Sequence, residues 1–147
     1  MTKVDFYILP EDSHHHRHLF ACRLVEKAYR LGHDIFIHGA SVEQTDQIDQ
    51  LLWNFRPNSF VPHNLEHSKN GNKNRGQITI GYNHDDHSHH DLLVNLSNSV
   101  PDFFSRFDRV SEIVIQDPQV TLATRKNYTF YRERGYQLKS HDLRKPQ

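Results

Sequence analysis

Hydrophobic positions follow two rhythms along this chain, a dense short one and a spaced longer one. Val4 to Leu9 (VDFYIL) is a run of β-branched and aromatic residues stopped by Pro10, which predicts a buried strand. From Arg17 to Leu31 the apolar residues Leu19, Phe20, Leu24, Val25, Ala28, Tyr29 and Leu31 recur at helical spacing, and Gly32 closes the segment as a C-terminal cap would. Asp34 to His38 (DIFIH) repeats the strand signal and Gly39 breaks it. Ser41 then reads as an N-cap with Gln44 in the capping-box position, ahead of a helix carried by Val42, Ile48, Leu51, Leu52 and Trp53.

Beyond that helix the signals shorten. Ser59 to Val61 and Gln77 to Ile80 are strand candidates separated by the polar stretch HSKNGNKNRG. Asp91 to Leu96 (DLLVNL) predicts a strand buried on both faces, Pro101 to Phe107 a short helix, Val110 to Ile115 another strand, and Gln119 to Arg134 a final helix ended by Gly135. Strands alternating with helices imply an α/β fold with a mainly parallel sheet covered by helices on both faces. The length of 147 residues fits a single domain spanning 1–147, and no internal repeat is visible.

Composition narrows the class further. With 35% hydrophobic and 24% charged residues the chain has the balance of a globular protein rather than a disordered one, and 18 Lys+Arg against 18 Asp+Glu name no partner by net charge. Charge is nonetheless uneven: Arg125 to Gln147 holds seven bases (Arg125, Lys126, Arg132, Arg134, Lys139, Arg144, Lys145) against the acids Glu133 and Asp142. A basic surface there would attract an anionic partner, nucleic acid or acidic peptide. The lone Cys22 sits among Phe20, Ala21, Leu24 and Val25, so an inert buried thiol is expected. MTKVDFYILPED carries no secretory signal and no run approaches the ~20 apolar residues of a membrane span, which predicts a cytoplasmic protein.

Candidate chemistry is sparse. A nucleotide-binding α/β protein places glycines after its first strand so that backbone N–H groups can close on a phosphate. Here that connection is PEDSHHHR, with no glycine, no GK[ST] and two acids. No ATP or dinucleotide site is expected there, and no cofactor. Two histidine clusters, His14, His15, His16 and His18, and His84, His87, His89 and His90 beside Asp85 and Asp86, offer the alternative of a His-rich metal-binding protein or metalloenzyme. Read as consecutive loop residues they would point in different directions, which argues against a defined site. No GxSxG frames a nucleophile, and the chain does not read as an enzyme.

Two aromatic segments are more informative. LLWNFRPNSFVPHNL (Leu51 to Leu65) puts Trp53 and Phe55 at a helix end and Phe60 beyond a Pro57 turn, as either core or an interface anchor. The last helix interleaves Tyr128, Phe130, Tyr131 and Tyr136 with Arg125, Lys126, Arg132 and Arg134. Arg125, Tyr128 and Arg132 share one face, presenting guanidinium forks beside aromatic surface; the other reading is that the tyrosines pack on the sheet while the bases face water.

FYIL, CRLVEKAYRLGHDIFIH, DQLLWNFRPNSFVPHNL, the ITI strand, DLLVNLSNSVPDFFSRFDRVSEIV and RKNYTFYRERGYQL together resemble the chi subunit family of DNA polymerase III, in order and over nearly the whole chain. The resemblance implies a Rossmann-like fold lacking a phosphate-binding loop, and a non-catalytic accessory subunit whose polymerase activity resides in other subunits. It implies a heterodimer with the psi subunit, a link through psi to the clamp loader, and binding of the acidic, Phe-terminated tail of single-stranded DNA-binding protein, with DNA met only indirectly. By position, the tail site is expected at Val114, Arg125, Lys126, Tyr128, Tyr131 and Arg132, and the psi surface at Trp53 and Phe60. Thr129 stands where the family commonly has a lysine, and Asn127 where it has an arginine.

Overall fold

The computed structural model describes residues 1–57, 61–65, 77–82 and 91–144. In chain order the elements are β1 (Lys3–Ile8), α1 (His14–Arg30), β2 (Ile35–His38), α2 (Val42–Asn54), β3 (Asn64–Leu65), β4 (Ile78–Gly81), β5 (Leu92–Asn95), a single 3₁₀ turn at Phe104–Arg106, β6 (Arg109–Val114), α3 (Pro118–Glu133) and β7 (Gln137–Asp142). The strands form one sheet in the order β3-β4-β2-β5-β6-β1-β7, with every described pairing parallel.

A parallel sheet needs cover on both faces, and the strand alternation shows how the cover divides. Phe6 packs on Tyr128 and Tyr131 of α3, while its neighbour Tyr7 packs on Phe20 of α1. Thus α1 lies on one face, together with α2 that packs against it, and α3 lies on the other. Central strands are apolar on both sides: all of β5 is buried, as are Ile35, Phe36 and Ile37 of β2. Each side chain of this kind contributes about 1.5–3 kcal/mol when fully buried.

Helix ends follow local chemistry. Ser41 caps α2 by accepting from Gln44 N, while Gln44 Oε1 reaches back to Ala40 N at 2.6 Å, one residue before the cap. Gly39 permits that turn, since a Cβ there would lie 2.9 Å from Thr45 Cγ2. Asp117 caps α3 by accepting from Gln119 N and Val120 N, with Pro118 in the first turn. Gly135 leaves α3 at φ +81°, a conformation that favours glycine.

The expected elements recur with small shifts and four corrections. α1 starts at His14 rather than Arg17, because Ser13 caps it by accepting from His16 N. The helix expected over Pro101–Phe107 is one 3₁₀ turn. Of the strand expected over Ser59–Val61, Ser59 and Phe60 lie outside the described residues and Val61 belongs to no strand; the short β3 comes at Asn64–Leu65 instead. β7 was not expected at all. Its half-buried contacts fall at Leu138 and His141, three apart, because the strand lies at the sheet edge: Leu138 packs on the core, and His141 stacks on Tyr7 with its Nε2 3.0 Å from Asp5 Oδ1.

Candidate partner-binding grooves

Placing α1 and α3 on opposite faces makes the boundary between β1 and β6 the switch point, where a fold of this shape would take a ligand at the strands' C-terminal ends. That crevice is closed. Gln116 N donates to the Glu11 carbonyl and Gln116 Nε2 to the Leu9 carbonyl, both at 2.9 Å, zipping the two loops together. An open groove of ≈ 770 Å³ lies beside it, on the α3 face.

Register builds the floor of this groove. Phe6 and Ile8 are two apart on β1 and face the same way, and Val114 pairs with Ile8 in the neighbouring strand. Tyr128 of α3 leans on Phe6 at a centroid distance of 5.2 Å and stays 36% exposed. Arg125, one turn earlier in α3, lines the same groove, with Thr121, Thr124 and Thr129 beside it. Ser140 of β7 and Arg144, just beyond β7, join it, and Asp117 is the one acid among the described lining residues.

Of the residues expected to form the tail site, Val114, Arg125 and Tyr128 come together here. Arg132 does not line the groove, and its guanidinium lies 5.8 Å from the Tyr128 ring centroid. Lys126 does not line the groove but an adjoining shallow surface on the outer side of α3, which shares Arg125 and Thr129 with it and adds Leu122, Phe130 and Arg134. Tyr131 does not wall the groove: it is fully buried and its hydroxyl donates to Glu112 Oε2 at 2.8 Å. Phe6, Ile8 and Arg144 line the groove without having been singled out. Alternation along β1 carries the signal for the first two; the position of Arg144 depended on recognising β7.

Behind the floor is a polar network. Glu112 accepts from Tyr131 Oη and, at 2.9 Å, from Asn95 Nδ2. Burial pushes its carboxyl up to about 7, outweighing these donors and the Arg17 charge. Arg17, itself buried, donates to the carbonyls of Ile113 and Leu96, tying α1 across β6 and β5.

The second aromatic surface is on α2. Trp53 is 42% exposed and its ring lies 4.3 Å from that of His63. The His63 ring is sealed from solvent, with Nδ1 2.6 Å from the Val61 carbonyl and Nε2 2.9 Å from Asp49 Oδ1. Phe60, the other residue expected on this surface, lies outside the described residues.

The histidines divide. His14, His15 and His16 are exposed in the first turn of α1, not in a loop as expected, and His18 is buried beside Gln44, where burial first and then Arg17, His14 and His15 push it down to about 4. His84, His87, His89, His90, Asp85 and Asp86 lie outside the described residues. Among the described residues no three or more His, Cys, Asp or Glu are placed to hold a metal ion. Cys22 is buried, and burial pushes its thiol up to about 12. No described helix is long and apolar enough to cross a membrane.

Fold and site together define a parallel α/β domain of nucleotide-binding shape whose switch-point crevice is shut and whose open groove pairs aromatic floor with guanidinium. The sequence model of the family described as DNA polymerase III chi subunit, HolC, matches residues 1–139. The DNA polymerase III subunit chi of Pseudomonas aeruginosa is 38% identical over 97% of this chain and 98% of its own length. Those of Haemophilus influenzae and Escherichia coli K12 are 32% and 27% identical, over 95% and 94% of this chain and 96% of each relative. The chain belongs to the DNA polymerase III chi subunit family, and is a replication accessory subunit.

Proposed function

We propose that the chain acts as an adaptor without catalytic activity of its own, holding the acidic, Phe-terminated tail of single-stranded DNA-binding protein in the α3 groove and the psi subunit on the surface around Trp53. Through psi it would connect to the clamp loader, with DNA reached only through its partners. One observation carries the reading: a cation, Arg125, stands beside an apolar floor of Phe6, Ile8, Val114 and Tyr128. A Phe-ended acidic peptide needs both, a guanidinium for carboxylate and an apolar surface for the ring. Psi docking rests on Trp53, which exposes a large aromatic surface of the kind that anchors interfaces.

The test is a titration with a DNA-free tail peptide. Arg125→Ala is expected to weaken binding about tenfold or more, as loss of a charge-assisted pair does. Removing the peptide's final Phe is expected to weaken it at least as much. Wild-type affinity in both arms would remove the groove as the tail site.

A further inference from the structure

Arg125 enters the groove from α3, yet a second guanidinium enters it from a different element. Leu143 N donates to the Ile8 carbonyl at 2.9 Å, so the chain keeps following β1 past the end of β7 and brings Arg144 to the groove. There Arg144 is held by its own neighbour: Nε and Nη2 donate to the two carboxylate oxygens of Asp142 at 2.9 and 2.8 Å, and the Arg144 backbone N–H donates to Asp142 Oδ1 at 3.0 Å. This is the paired geometry by which a guanidinium takes any carboxylate.

We propose that Arg144 is the second cation of the groove and receives the peptide's C-terminal carboxylate, with Asp142 holding the guanidinium fork until that carboxylate replaces it. The inference rests on the tail-binding reading and deepens it by separating two roles. A peptide ending in an aromatic residue presents its ring and its terminal carboxylate within one residue of each other. The groove offers Tyr128 and Phe6 for the ring, and two guanidinium groups from separate elements for charge. The exchange is cheap because Asp142 and Arg144 are both exposed, so the pair that breaks is screened by water. Arg144 thus sorts free-acid termini from blocked ones, while Arg125 serves the acidic side chains upstream.

The experiment titrates an acidic peptide ending in Phe, as free acid and as C-terminal amide, against wild type, Arg144→Ala, Asp142→Asn and Arg125→Ala. Wild type is expected to favour the free acid by about tenfold, the worth of one charge-assisted pair. Arg144→Ala should lose that preference while binding the amide as wild type does. Asp142→Asn should tighten free-acid binding by about threefold, through removal of the competing carboxylate. Arg144→Ala that still favours the free acid as strongly as wild type overturns the assignment, and Asp142→Asn that binds no more tightly overturns the exchange. If either happens while Arg125→Ala and Phe removal still weaken binding, the groove reading survives and only Arg144 is excluded. If wild type binds neither peptide, both fall.

Discussion

Glu112 and His18 are buried ionisable groups whose titrations pull on stability in opposite directions. Glu112 is raised from the ordinary 4.5 to about 7 by burial, so the folded state holds a proton that the unfolded chain has released. Its contribution is present below about 4.5 and is lost as pH rises to about 7. His18 is lowered from 6.5 to about 4, so the unfolded chain takes up a proton that the folded state refuses. Its contribution is present above about 6.5 and is lost as pH falls to about 4. Since each pKa unit corresponds to about 1.4 kcal/mol, either effect alone is worth about 3 kcal/mol. Between pH 4.5 and 6.5 these two slopes therefore oppose each other in the wild-type stability measured by urea unfolding. Glu112→Gln should expose the His18 slope, with stability rising with pH, and His18→Gln the reverse. Parallel profiles for all three proteins would contradict the opposed titrations.

Among the elements, α2 and the residues after it present Trp53, the sole tryptophan, against a ring that is itself fixed. His63→Ala is expected to cost about 2 kcal/mol or more, because it opens a cavity and leaves Asp49 and the Val61 carbonyl without their partner. Trp53 emission should move to the red as its packing partner goes; an unchanged spectrum would show that His63 does not position it. Most elements were legible because β1, β2, β5 and β6 are dense apolar runs and α1 and α3 keep helical spacing between identifiable caps. β7 was not legible, since an edge strand is half wetted and its contacts at Leu138 and His141 break the period of two. The groove was legible where it rests on α3, at Arg125 and Tyr128, and hidden where it rests on pairing. Spacing alone could not tell that Tyr131 faces inward, because the reason is Glu112, a buried carboxylate on β6.

For the molecule as a whole, neutrality conceals direction. Its 18 bases and 18 acids cancel, yet Arg125, Lys126 and Arg132 are gathered on α3 and Arg134 caps its C-terminal end. An acidic tail would be drawn toward that helix before it meets the groove. Lys126→Glu lies on the outer surface of α3, outside the groove, and should slow association severalfold at low salt with little change in dissociation. Stopped-flow mixing with the tail peptide at ~0.1 M and ~1 M salt tests this, since the Debye length falls from ~10 Å to ~3 Å and the variant should converge on wild type. A dissociation rate that rises instead would put Lys126 in direct contact.

The sheet order has a consequence for synthesis. β1 lies between β6 and β7, and Lys3 pairs with Arg109 on one side and Gln137 on the other. Such pairs, more than one hundred residues apart, must pay for a long loop before they return any stability, and they slow folding accordingly. On the ribosome β2, β4 and β5 can assemble as they emerge, because they pair with one another. β1 is made before its partners and must wait, its backbone edges unpaired until β6 and then β7 have been translated and Phe6 uncovered until α3 has, and that interval is when the nascent chain has most need of a chaperone.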